Sequence, residues 1–145
     1  MIRLLTVVLL TVSGLAGQAV PVCMAVTVDD ARSIIGPSAK RSKDPSGCEW
    51  MAGEKQLNVV RIGVASMFER ARTGSAEKGK VQTENGLGGT AFSAIPTSDH
   101  GGRAAIYVLK GDGVLVVDIS GFPSGGAEQQ LPQVRDLARK LLPRL

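Results

Sequence analysis

Apolar and polar positions change period several times along this chain, and each change marks an element. Leu4 to Ala16 is a mostly apolar run behind Met1-Ile2-Arg3, broken by Thr6, Thr11 and Ser13. Thr27 followed by Val28-Asp29-Asp30 predicts a helix start, because a hydroxyl accepts from a free N–H and carboxylates favour the positive end of the dipole. Val28, Ala31 and Ile35 recur on one face, and Gly36-Pro37 stops the helix. Ser38 to Gly47 is a polar loop ending in the turn residues Asp44-Pro45-Ser46-Gly47. Cys48, Trp50 and Ala52 then alternate with Glu49 and Met51 in a short strand. Gly53-Glu54-Lys55 turns it into Gln56 to Val64, which makes a hairpin.

Ser66 and Glu69 stand in capping-box positions and predict a second helix running to about Thr73 and ending at Gly74. Val81 to Glu84 reads as a weak edge strand, and Gly86-Leu87-Gly88-Gly89 as a turn before a strand over Thr90 to Ile95. After a loop from Pro96 to Gly102, Arg103 to Lys110 and Val114 to Ser120 form the clearest hairpin, joined at Gly111-Asp112-Gly113. In its second strand Leu115, Val117 and Ile119 face one way, and Val114, Val116, Asp118 and Ser120 the other. A final helix carries the stripe Leu131, Val134, Leu137, Ala138 and Leu141. Pro132 places the start of its regular part nearby, and Arg139, Lys140 and Arg144 suit its C-terminal end. The order helix–hairpin–helix–strands–helix predicts an α+β fold, an antiparallel sheet of about five strands packed with three helices.

The opening run follows the three-part plan of a secretory signal peptide, with Gly17 and Ala19 placed for a cut before Val20. Residues 1–19 are then a leader and 20–145 a single extracytoplasmic domain, periplasmic or secreted. A cut before Val26 is also compatible with the small residues Cys23 and Ala25. The apolar run is shorter than the ~20 residues that cross a bilayer, and Gln18 occupies the place of a lipidated cysteine, so no stable membrane anchor is expected. A cut before Val20 leaves Cys23 and Cys48 as an even pair in an oxidising compartment, which reads as a disulfide. A cut before Val26 leaves Cys48 alone.

Composition narrows the function classes. The chain of 145 residues has 18 glycines and 7 prolines, yet 43% of it is apolar, which points to many turns and not to disorder. A net charge of +4 is scattered, and the aromatics number one Trp, one Tyr and three Phe, so a nucleic-acid partner is not expected. One histidine and two cysteines exclude a zinc site built from Cys and His alone. No cofactor motif is present. Gly86-Leu87-Gly88-Gly89 precedes a strand pattern, whereas a dinucleotide fingerprint opens a helix.

Cys23-Met24-Ala25-Val26-Thr27, a helix ending at Ile35-Gly36, a basic loop and Cys48-Glu49-Trp50 together resemble small secreted bacterial domains of unknown function. Many of these are actinobacterial lipoproteins with a cysteine, a capped helix and then C-x-W. Gly86 to Phe92 is similar to their glycine-rich turn before an aromatic strand. The resemblance implies a Cys23–Cys48 bridge, an extracytoplasmic α+β sandwich and no particular activity.

Candidate chemistry is sparse. Asp99 and His100, with Ser98 or Ser93, contain the residue types of a nucleophile, a base and its orienter, but adjacent residues in a glycine-rich loop rarely hold that geometry. His100 is read as a solvated loop residue, and no catalytic or metal-ligating set is assigned. Trp50 is expected in the core near the disulfide. Asp118 is expected on a solvent face, with an arginine such as Arg103 as the alternative partner across the hairpin. Two basic groups, Lys40, Arg41 and Lys43, and Arg70, Arg72, Lys78 and Lys80, suit weak attraction to anionic envelope polymers or head groups. The function expected is a non-enzymatic binding domain for an envelope component, a partner protein or a small molecule. The alternative is an inhibitor or immunity-like protein acting on an envelope hydrolase.

Overall fold

The computed structural model describes residues 21–43 and 48–145; the expected leader, residues 1–19, and the turn at Asp44-Pro45-Ser46-Gly47 lie outside the described residues. Helix α1 spans Val28–Ile35. Thr27 caps it as its chemistry requires: the hydroxyl accepts from the Asp30 N–H at 3.2 Å, and the Asp30 carboxylate accepts from the Thr27 N–H at 2.8 Å. Ala31, Ile34 and Ile35 form the buried face, while Val28, expected in that stripe, is exposed.

Seven strands follow: β1 (Lys40–Arg41), β2 (Glu49–Ala52), β3 (Lys55–Ile62), β4 (Gly79–Glu84), β5 (Thr90–Pro96), β6 (Ala104–Lys110) and β7 (Gly113–Ser120). The remaining helices are α2 (Met67–Lys78), α3 (Gly126–Gln129) and α4 (Leu131–Leu141). The fold is α+β with an antiparallel sheet, as the pattern predicts, but with seven strands instead of about five and four helices instead of three. Beyond five, the weak edge strand read at Val81 to Glu84 forms in full as β4, and β1 is two exposed residues that pair with β2 at the other edge, too short to leave a periodic signal. The extra helix, α3, is a single turn before Pro132, which sits in the first turn of α4.

The sheet order is β1-β2-β3-β7-β6-β5-β4, so two meanders meet where β3 pairs with β7. Hairpins β2–β3 and β6–β7 each turn through a glycine at positive φ, Gly53 at +62° and Gly111 at +61°, as two-residue hairpin loops demand. On one face α1 and α4 pack Ile34, Ile35, Val134, Leu137 and Leu141 against Leu57, Ile106, Leu115, Val117 and Ile119. On the other face a smaller cluster forms around Phe68 of α2, with Phe92, Val114 and Val116.

The N-terminus of α2 departs from expectation. Ser66 adopts helical angles and makes no side-chain cap. The Met67 and Phe68 N–H groups donate to the carbonyls of Val64 and Ala65, so a turn already runs through Ser66, and its helical angles are not the extended ones from which an N-cap hydroxyl reaches the Glu69 N–H. The helix also continues through Gly74 to Lys78.

Three ties hold the ends of this arrangement. Cys23 and Cys48 are bridged, with Cα atoms 5.2 Å apart, joining the segment before α1 to the start of β2. Arg135 of α4 forks onto Glu84 of β4, with contacts of 2.6 and 3.0 Å. Lys140 reaches the Asp30 carboxylate at 2.6 Å, fastening α4 to the cap of α1.

The bridge closes a loop with a sequence separation of 25 residues, worth about 3.5 kcal/mol on a chain-entropy estimate. Reduction is expected to lower the melting temperature by roughly 10 °C. An unchanged melt with two alkylatable thiols would contradict this.

The Arg135 guanidinium holds the Glu84 carboxyl below its ordinary value of 4.5. Burial pushes Asp30 up, but Lys140 and the Thr27 cap outweigh it and leave that group below 3.8. A carboxyl with a depressed folded-state pKa contributes stability above its unfolded value and loses that contribution as pH falls through the folded value. Stability should therefore be level at neutral pH and fall below about pH 4.5. Glu84→Gln should lower stability at pH 7 by about 2 kcal/mol, because Arg135 loses its partner, with a smaller difference near pH 3. Denaturant midpoints measured at both pH values check this; an equal loss at both would exclude the ion pair as the cause.

Candidate functional site

The two faces of the sheet are covered unequally. The face under α1 and α4 is fully packed, whereas the other is met by α2 alone. Strand register explains what α2 meets there. Phe92, Tyr107 and Val116 are partners across β5, β6 and β7 and form a row of large side chains. Phe68 packs edge-on against Phe92 at 5.1 Å, and Phe92 stacks on Tyr107 at 4.6 Å. Two residues along each strand the row reads Ala94, Ala105 and Asp118. Large side chains give way there to two methyl groups and a carboxylate.

The helix is equally bare opposite this row. Met67, Arg70, Ala71, Gly74, Ser75 and Lys78 recur at helical spacing along one side of α2. A Cβ placed on Gly74 meets no atom within 4 Å. Small residues on both walls leave a half-open cleft of about 360 Å³, with Pro96 and Arg103 also in its lining. That volume lies within the range of small-molecule sites.

Charge in the cleft is predominantly positive. Arg103 donates to both Asp118 oxygens, at 3.1 and 3.0 Å, a fork geometry that neutralises both groups and raises the guanidinium pKa further. Asp118 thus takes the partner held as the alternative in the sequence reading, instead of pointing freely to solvent. The side chains of Arg70 and Lys78 have no hydrogen-bond or ion-pair partner among the described residues, in contrast to Lys80, which pairs with Glu128, and Arg72, which reaches Thr83. Burial raises the Tyr107 hydroxyl pKa above 10, reinforced by Asp118, while Arg103 and the nearby Ser75 hydroxyl oppose the shift. Tyr107 is therefore a neutral, polar-tipped ring at physiological pH.

The other candidate residues fall elsewhere. Trp50 is buried in the core cluster that contains Cys23, with Cys48 packed against it, and Arg41 lies 6.0 Å from its ring. Asp99 and His100 occupy an exposed turn, where the His100 carbonyl accepts from Gly125 N–H and Ser124 Oγ and so anchors the loop before α3. Ser93 is buried on the opposite face of the sheet from the cleft. Its hydroxyl faces Glu84 closely enough to lower that pKa but without well-formed hydrogen-bond geometry. Gly86 to Gly89 forms the β4–β5 turn, with Leu87 buried. Among the described residues no group of three or more His, Cys, Asp or Glu gathers to hold a metal, and no helix is long and apolar enough to cross a membrane.

Sequence reasoning placed Arg70 and Lys78 in a diffuse basic group and did not bring Tyr107 or Ser75 to a site. The available signal was the spacing Arg70, Gly74, Lys78 at i, i+4 and i+8, legible only if the helix is carried through the glycine.

Because Gly74 is helical and faces open space, Gly74→Ala should stabilise the protein by roughly 1 kcal/mol through helix propensity alone. A melting temperature a few degrees higher checks this, and a lower one would mean that the added methyl meets a neighbour.

No protein-family model, no curated protein and no solved structure matches the chain.

Proposed function

We propose that the protein is an exported, non-enzymatic binding domain that takes a small ligand in the cleft between α2 and the sheet. The observation that carries this reading is the cleft itself, with its Ala94–Ala105 floor, its bare helix wall at Gly74 and its unpartnered cations Arg70 and Lys78. A domain filling space for stability alone gains from a larger side chain at each of these positions. The Cys23–Cys48 bridge fits an oxidising compartment, in keeping with the leader expected at residues 1–19.

The reading of an inhibitor for an envelope hydrolase draws on a different observation. Val60 of β3, opposite Val116, is 41% exposed, and Val64 in the loop after β3 is 53% exposed. Exposed apolar side chains on a strand and the loop that follows it suit a protein partner.

Native mass spectrometry of the mature protein after incubation with the small-molecule fraction of a cell-envelope extract tests the first reading. A bound mass should appear on the wild type and be lost from Gly74→Leu, which fills the cleft. A bound mass retained by Gly74→Leu, or no bound mass, would overturn the cleft as the binding site.

A further inference from the structure

We infer that the ligand of this cleft is a small carboxylate on a flat apolar body, its anionic group held over Gly74 between Arg70 and Lys78. The inference rests on the cleft being the binding site and adds the chemistry of what occupies it.

The geometry begins with the helix. Residues at i, i+4 and i+8 lie along one line of an α-helix, so Arg70, Gly74 and Lys78 share one side of α2, with Gly74 midway. Each cation is one turn, about 6 Å, from the glycine, within reach of a long flexible side chain. With no Cβ at Gly74, a ligand approaches the helix surface between the two cations. Among the described residues, nothing beyond the helix's own nearby backbone stands within 4 Å of a Cβ built there.

Electrostatics select the sign and limit the charge. The third cation of the cleft, Arg103, is already forked onto Asp118. The cleft therefore offers two uncompensated positive charges beside one satisfied ion pair. A cationic ligand meets repulsion from both. A neutral ligand leaves both cations without a counter-charge, now partly desolvated beneath it. A carboxylate accepts from both, and a guanidinium and an ammonium are together well matched to its two oxygens.

The walls define the rest of the ligand. Ala94 and Ala105 line the space from the sheet and Ala71 and Gly74 line it from the helix, so its two walls are small apolar surfaces. The Tyr107 ring, held by its stack on Phe92, borders the space with an aromatic surface and a neutral hydroxyl. A flat apolar body buries its faces there without displacing any side chain, whereas a sugar leaves its hydroxyls facing the methyls of Ala94 and Ala105.

The test uses 2-naphthoate and its uncharged counterpart 2-naphthamide, titrated into the mature protein at low salt and followed by amide NMR and calorimetry. The inference expects 2-naphthoate to shift the amides of Gly74, Ser75, Ala94 and Ala105, and 2-naphthamide to bind at least ten-fold more weakly. Arg70→Gln with Lys78→Gln should weaken 2-naphthoate about ten-fold and leave 2-naphthamide unchanged; both positions are exposed, so the double variant retains the fold. Equal affinity for the two compounds at these amides would overturn the anion while leaving the cleft as a binding site. Shifts confined to other residues, an unaffected double variant, or no binding of either compound would overturn the inference. The extract experiment with Gly74→Leu then decides separately whether the cleft binds anything else.

Discussion

Strand β7 lies in the middle of the sheet and is apolar on both sides, so it has to be covered twice. Leu115, Val117 and Ile119 are buried on one face and Val114 and Val116 on the other. Antiparallel sheets commonly leave one face to water, and a strand of this kind removes that option. Helices α1 and α4 cover the first face from the two ends of the chain. The second face is reached by the one connection that must cross it. β3 sits beside β7, and β4 sits at the far edge, four strand spacings away, or roughly 19 Å. A twelve-residue helix is about 18 Å long. The crossing and the covering are thus one event, and α2 performs both.

This explains why the reading of α2 from local signals stops early. Gly74 resembles a helix end by its chemistry, and a helix ending at Thr73 would be about 10 Å long. Such a helix leaves the chain short of the edge it has to reach. Tertiary geometry overrides a propensity cost of about 1 kcal/mol, and the glycine stays helical. The cap at Ser66 fails because a turn from Val64 runs through it and leaves its backbone at helical angles. Thr27 instead has an extended backbone, with φ at −88° and ψ at 164°, and its capping box forms as the sequence indicates. Most of the strands, the two tight hairpins and the α4 stripe were legible because each rests on a period or a turn residue. Strand order, the second core and the cleft rest on pairings between distant segments, which carry no local period.

The polar ties follow the same division between local and distant. The fork from Arg135 to Glu84 and the contact from Lys140 to Asp30 both begin on α4, one reaching the last-ordered edge strand and the other the cap of α1. An amphipathic helix on a sheet is held against sliding only weakly by apolar contact, because that attraction has no direction. Two charge-assisted hydrogen-bond sets at different points along α4 supply the direction. Depressed carboxyl pKa values at Glu84 and Asp30 are the electrostatic trace of that docking.

On the second face the same logic runs in reverse. Where Phe68 meets Phe92, the helix and sheet are joined by rings in contact. Two residues further along the strands the side chains are Ala94 and Ala105, and with Ala71 and Gly74 of the helix they line a cleft. A leucine or valine at any of these places adds buried apolar area, and an alanine at Gly74 adds helix propensity, so stability favours filling the gap. Unpartnered Arg70 and Lys78 flank the same gap, while the nearby Arg103 is neutralised by Asp118. Proteins break local rules mainly where function requires it. Here a glycine inside a helix and small side chains on two walls border one space of about 360 Å³, with two exposed cations beside it, and packing for stability does not account for the glycine or the small side chains.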